Sequence, residues 1–274
     1  MIFSAESIIR LFEERWDNQA ESDLRSLVKE KGGISSFECA LMYMYIRAHR
    51  PRHLIEFSPN HGYSTEALAR GQRAMRNRWS FGSFEIEDSF VKATRTRICK
   101  AGLDEFVDVI WGDALVEIPK YARRFGTESF DFCFIDSDHT NEFAQRYIKE
   151  IFPLLRPGCL IGVHDICSKQ HNNQGYTNFN TSLQSGVYKS GEEQPIKKFI
   201  IDRQCDFCVL HAITGGTHEG AKLAWNVHLF NALQKITGID FRSKICPKTL
   251  FLRLPGGENA VSSEASSAIK ALSC

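Results

Sequence analysis

From Pro51 onward the chain alternates short apolar runs with helical stretches, and no other feature constrains its fold as strongly. The runs lie at 53–57, 79–86, 106–111, 130–135 and 159–163, with helical patterns near 64–77, 89–101, 114–124 and 141–155 between them. Strands of four to eight residues separated by helices predict a parallel sheet covered on both faces. Right-handed crossovers then require an α/β, doubly wound sheet, whose ligands sit at the carboxyl ends of the strands.

The flanking regions read differently. Ile8, Leu11, Phe12 and Trp16 share one helical face, and Leu24, Leu27 and Val28 repeat the pattern before Gly32-Gly33 breaks it. Ser35 followed by Glu38 is a capping box opening a helix through Phe37, Leu41, Met44 and Tyr45. Pro51 stops that helix near His49–Arg50. Residues 1–50 therefore form an N-terminal helical cap on a domain spanning 51–254. Within that domain, 167–190 is rich in Gln, Asn, Ser and Gly, and is expected to be a variable substrate loop. A helix around 192–202, an apolar run at 207–213, a helix near 225–236 and a strand at 249–254 follow. The Ser- and Ala-rich segment 255–274 reads as a flexible tail.

Charge narrows the function. Lys and Arg number 34 against 33 Asp and Glu, a net charge of +1. Nucleic-acid-coating and polybasic membrane-surface proteins need a surplus of Lys and Arg, so neither partner is expected. No apolar run reaches the ~18–20 residues of a membrane helix. Glu6, Arg10, Glu13 and Glu14 interrupt the first segment, and nine scattered cysteines fit reduced, buried thiols. A cytoplasmic protein is the expectation, with a homodimer left open. Cys205 and Cys208 lie on an expected strand without a second CxxC, only Cys246, and read as structural. Phe130, Phe132 and Phe134 belong to a buried strand, and Arg70, Arg73, Arg76 and Arg78 to a solvated helix face.

Chemistry collects at the strand ends. The first strand runs through Glu56 into the turn Ser58-Pro59-Asn60-His61-Gly62, before a helix opening at Tyr63-Ser64. Backbone N–H groups in such a turn approach a ligand closely, and the helix N-terminus favours anionic groups. Ser58 and Asn60 stand where a dinucleotide fingerprint would carry glycines. Glu85 ends the second strand, suited to ribose hydroxyls, and Asp113 follows the third, suited to an adenine amino group. Each acid serves equally well as a helix cap. Asp136, Asp138, His139, His164 and Asp165 follow the fourth and fifth strands, whose ends lie about 5 Å apart if they are neighbours. Carboxylates and imidazoles gathered there suit a divalent cation or a general base.

In this order the motifs resemble the class I S-adenosylmethionine-dependent methyltransferases. The likeness is greatest to the small-molecule O-methyltransferase-like group, with an Asp-x-Asp-His segment after the fourth strand. It rests on Glu56…Gly62, Glu85, Asp113, Ile135-Asp136-Ser137-Asp138-His139 and Leu155-Arg156-Pro157-Gly158…His164-Asp165, and covers roughly 50–166. The resemblance implies a seven-stranded sheet with the last strand antiparallel. It also implies cofactor contacts from Glu56, Ser58, Gly62, Tyr63, Ser64, Glu85, Asp113 and Asp136, although Ser58 replaces a usual glycine. Asp138, His139 and His164 form the expected catalytic group, with His139 as base. Asp138 and Asp165, with Asp136 as a further option, are the candidate ligands the resemblance implies for a divalent cation such as Mg²⁺, although His164 stands where metal-dependent relatives often carry an acid. The expected activity is methyl transfer to a small-molecule acceptor, most readily at a hydroxyl oxygen. A silent cofactor-binding module and a nicotinamide-dependent oxidoreductase are the alternatives, the second disfavoured by the missing glycines.

Overall fold

The computed structural model describes residues 3–28, 34–75, 79–126, 128–166, 191–214, 226–242 and 249–256. The chain opens with helices α1 (Ala5–Arg15), α2 (Asn18–Val28) and α3 (Ser36–His49). Strands and helices then alternate: β1 (His53–Phe57), α4 (Tyr63–Ala74), β2 (Ser80–Glu85), α5 (Asp88–Lys100), β3 (Asp108–Trp111), α6 (Ala114–Ala122), β4 (Phe130–Ile135), α7 (Asn141–Glu150) and β5 (Leu155–Val163). The described remainder supplies α8 (Glu193–Arg203), β6 (Asp206–Val209), the short α9 (Leu210–Thr214), α10 (Val227–Thr237) and β7 (Leu250–Arg253).

The seven strands form one sheet in the order β3-β2-β1-β4-β5-β7-β6, with β7 antiparallel to both its neighbours and the other ladders parallel. The doubly wound sheet expected from the alternation is present, and its terminal pair is β6 and β7. The apolar run at 207–213 is not one strand. Ladder pairing with β7 ends at Val209 opposite Leu250, and after one further bond from the Leu210 N–H to the Thr249 carbonyl (3.0 Å) the chain turns into α9. Gly32-Gly33, the loop 167–190 and nearly all of the tail lie outside the described residues.

Period-two alternation sends successive strand residues to opposite faces. Leu54, Phe81, Phe132, Phe134 and Leu160 pack with the N-terminal helices. Ile55, Phe57, Cys133, Ile135 and Ile161 pack on the other face, with side chains of α6, α7 and α8. Helix α3 is buried on every side from Phe37 to Ile46, as expected for a helix lacking a polar stripe. It meets α4 closely: a methyl group on Gly71 would sit 2.9 Å from Ile46 Cβ and 3.2 Å from the Tyr43 carbonyl oxygen. Gly71→Ala is therefore expected to force the helices apart and cost about 1–3 kcal/mol, read as a lower urea midpoint.

One surface expectation is overturned. Arg70 and Arg73 do not form a solvated face, because α2 lies over α4 and buries Asp23 against them. Arg70 Nη1 and Arg73 Nη2 approach the same Asp23 oxygen at 2.9 and 2.6 Å, and the Tyr43 hydroxyl donates to Asp23 at 3.0 Å. Arg76 and Arg78 fall outside the described residues. No described helix is long and apolar enough to cross a membrane.

Candidate active site

The carboxyl ends of the parallel strands stay in register one step past the sheet. The His164 N–H donates to the Ile135 carbonyl (2.8 Å), and the Asp136 N–H to that of Phe57 (3.4 Å). The Ser58 N–H donates to the Phe84 carbonyl (2.8 Å), and the Gly112 N–H to that of Glu85 (2.9 Å). These bonds set His164, Asp136, Ser58, Glu85 and Gly112 along one edge at the spacing of neighbouring strands, about 5 Å.

The turn between β1 and α4 is unusual backbone. Ser58, Asn60 and Gly62 have φ of 51°, 52° and 78°. A left-handed conformation costs a non-glycine residue about 1–2 kcal/mol, which accounts for the glycine usual at the position of Ser58. Beneath the turn, Glu56 is fully buried. Its Oε2 accepts from the Thr65 hydroxyl (2.6 Å) and the Ser83 hydroxyl (2.7 Å), while Oε1 has no hydrogen-bond partner among the described residues. Burial lifts the Glu56 carboxyl to about 7, despite the opposing hydroxyls of Ser64, Thr65 and Ser83. Glu85 receives the backbone N–H of Asn60 (3.2 Å) and of Glu87 (3.0 Å), so it fastens the turn to β2. Asp113 caps α6 by accepting from the Leu115 N–H at 2.9 Å. Ser64 is buried in the first turn of α4, and the Tyr63 ring lies under the Arg97 guanidinium, 3.8 Å from carbon to centroid.

At the ends of β4 and β5 the structure assembles an array of acids and imidazoles. Asp136 Oδ1 lies 3.0 Å from His164 Nδ1 and 4.0 Å from His139 Nε2. His164 is buried, with Nε2 3.8 Å from Glu38 Oε1 and Nδ1 3.7 Å from Asp165 Oδ1. Burial alone would depress the His164 imidazole, but Asp136, Glu38 and Asp165 outweigh it and raise it to about 10. His139 Nδ1 meets Glu192 Oε1 at 2.7 Å, while Glu192 Oε2 accepts from the Tyr147 hydroxyl at 3.2 Å. Burial pulls His139 down, yet the hydrogen bond and charge of Glu192, with Asp136 and Asp165, leave it above its ordinary value.

Two carboxylates of this array were not singled out as site residues from the sequence. Glu38 was legible as the capping-box partner of Ser35, and the box is present. Its Oε1, however, also accepts the N–H and hydroxyl of Thr249, at 3.0 and 2.6 Å. Glu192 carried no sequence signal, since it follows a polar stretch directly. Asp138 stays out of the array. It is exposed, and its Oδ1 accepts the Thr140 N–H (3.1 Å) in a local turn before α7.

A divalent cation needs three or more converging donors with free lone pairs. Asp138 faces solvent, and both His164 nitrogens face carboxylates. No described group of three or more His, Cys, Asp and Glu residues is arranged to hold a metal. The donors among the described residues do not fit a divalent cation. They fit a polar organic ligand better, because Glu56 Oε1 and Ser137 Oγ are buried at this edge without a hydrogen-bond partner among the described residues.

Comparison with known proteins shows what this arrangement is similar to. Residues 55–166 match the family described as "Methyltransferase domain". A catechol O-methyltransferase from Mycobacterium tuberculosis is 28% identical over 133 residues, 48% of this chain and 56% of that protein. Catechol O-methyltransferase B from Danio rerio is 27% identical over 145 residues, 51% of this chain and 52% of that protein. The chain thus spans about half the length of these curated relatives. Two solved structures share its fold: an O-methyltransferase from Bacillus cereus in complex with SAH and the O-methyltransferase TomG from Streptomyces achromogenes in complex with SAM. The first has a TM-score of 0.55 at 17% identity, covering 87% of this chain and 91% of that one. The second has a TM-score of 0.53 at 19% identity, covering 88% and 92%. Motif order, strand order and these matches agree: residues 55–166 match a methyltransferase domain, and the seven-stranded sheet has the fold of the O-methyltransferases it resembles.

Proposed function

We propose that this protein transfers a methyl group from S-adenosylmethionine to a hydroxyl oxygen of a small molecule. The observation that carries this reading is the strand-end edge, where an acid–imidazole array stands beside a left-handed turn and a buried, half-satisfied Glu56. Glu56, Ser58, Gly62, Tyr63 and Ser64 would receive the methionine end, Glu85 the ribose and Asp113 the adenine, with Asp136 between cofactor and acceptor. When bound, the cofactor supplies an electrophilic methyl group already activated by its sulfonium. His139 is the imidazole that reaches solvent, and it takes the acceptor hydroxyl proton at Nε2 while Glu192 holds Nδ1. The names of the two curated relatives point to an aromatic diol as the first acceptor class to try.

Calorimetric titration with S-adenosylhomocysteine and with NAD tests the reading. Uptake of S-adenosylhomocysteine alone is expected, and uptake of NAD alone would replace the reading with an oxidoreductase. S-adenosylhomocysteine binding without turnover on any of a panel of phenols, catechols and aliphatic alcohols would leave a silent cofactor-binding module. Because the array holds imidazoles against carboxylates, EDTA is expected to leave turnover unchanged and Mg²⁺ to add nothing. Loss of activity in EDTA, restored by Mg²⁺, would return the metal to the mechanism.

A further inference from the structure

The geometry points to Arg97, seconded by Thr94, as the positioning residue that holds the left-handed β1–α4 turn in shape for the methionine end of S-adenosylmethionine. This inference rests on the function proposed above. Ser58 adopts a left-handed conformation that its side chain disfavours, and Asn60, which tolerates that region better, repeats it two residues on, so contacts from outside the turn help to hold it. One face of α5 does so. Phe90, Thr94 and Arg97, spaced four and three residues apart, point together at the turn. The Phe90 ring meets the His61 ring edge-on at 5.3 Å between centroids. The Thr94 hydroxyl donates to the Asn60 carbonyl at 2.8 Å, and Arg97 Nε donates to the His61 carbonyl, also at 2.8 Å.

Arg97 makes three contacts at once. While Nε holds the His61 carbonyl, Nη1 pairs with Glu66 Oε2 at 3.0 Å and the guanidinium plane covers the Tyr63 ring at 3.8 Å. Glu66 is fixed in turn by Arg70 at 2.6 Å, and Arg70 by Asp23 of α2 at 2.9 Å. The guanidinium is thus anchored from behind by a run of charges that reaches the N-terminal helices. A planar fork is needed for this. A lysine ammonium is a single point charge and cannot hold the carbonyl, pair with the acid and lie flat on the ring together.

The test compares the wild-type protein with Arg97→Lys, Thr94→Val and, as a control on the exposed face of α5, Lys92→Gln. S-adenosylhomocysteine affinity is measured by calorimetry and exchange of the 58–63 amides by hydrogen–deuterium exchange. Arg97→Lys is expected to weaken binding about tenfold or more and to speed exchange across 58–63, at a nearly unchanged melting temperature. Thr94→Val, close in shape, should move both readouts the same way by less, and Lys92→Gln should move neither. With an acceptor in hand, KM for S-adenosylmethionine should rise while kcat stays within about threefold, which separates positioning from chemistry. Wild-type affinity and exchange in Arg97→Lys would overturn the inference. If the wild-type protein itself takes up no S-adenosylhomocysteine, the proposed function falls, and the exchange rates alone decide whether Arg97 holds the turn.

Discussion

Replacing His139 by alanine is expected to lower turnover by about 10²–10⁴-fold, the usual worth of a general base, while S-adenosylhomocysteine affinity changes little. The side chain is 18% exposed, enough to meet an acceptor, whereas His164 is enclosed at 3%. Glu192 on Nδ1 fixes the ring so that the neutral form carries its lone pair on Nε2, the nitrogen 4.0 Å from Asp136. The pH dependence follows from the direction of the shift. A base works only when deprotonated, and the carboxylates hold His139 above the ordinary 6.5, although burial opposes them. The limb of kcat/KM attributable to His139 should therefore rise later than for a free imidazole. Glu192→Gln removes the carboxylate charge and should move that limb to lower pH. A profile that stays flat from about pH 6 to 9, or a His139→Ala enzyme of undiminished turnover, would remove this residue from the chemistry.

Glu56→Gln is expected to do two opposite things: stabilise the protein at alkaline pH and weaken its hold on the cofactor. Burial keeps the folded-state carboxyl at about 7, against an ordinary 4.5. The folded protein therefore binds this proton more tightly than the unfolded chain does. The stability this contributes is complete below about pH 4.5 and is lost as pH climbs through about 7. At 1.36 kcal/mol per pH unit, the loss amounts to about 3 kcal/mol. Glutamine carries no charge to desolvate, and its amide oxygen can accept from Thr65 and Ser83 as Oε2 does. Melting curves should show Glu56→Gln above wild type by roughly 6–12 °C at pH 8, with the gap closing near pH 5. S-adenosylhomocysteine affinity should fall most at pH 8, where glutamine lacks the negative charge that the carboxylate holds beneath the turn. A stability difference independent of pH would mean that Glu56 is not the group holding the proton.

The layout of the sheet was legible because parallel strands buried on both faces read as short apolar runs. β1 and β4 fall on the runs at 53–57 and 130–135. The same logic failed at 207–213, where an apolar run continues past the last strand partner and becomes a helix. Hydrophobicity records burial, and Val209 and Leu210, on either side of the change, are both buried. Glu56, Glu85, Asp136 and His164 were legible as edge residues because each sits at the end of a readable strand. Glu38 and Glu192 were not, since their place beside the histidines depends on how α3 and the segment before α8 pack in three dimensions. The arginines of α4 failed for the same reason. Their spacing describes a helix face, and only the path of α2 shows that the face is covered.

The position of β7 has a consequence for how the molecule is made. β7 lies between β5 and β6, and among the described residues β6 bonds to no other strand. Thr249, just ahead of β7, supplies two of the hydrogen bonds that fix Glu38 near His164. A nascent chain leaving the ribosome can pair β1 through β5 in step with synthesis, but β6 must wait for a neighbour encoded some forty residues later. The last described strand is thus a keystone: it joins one flank of the sheet to the carboxylate behind the buried imidazole.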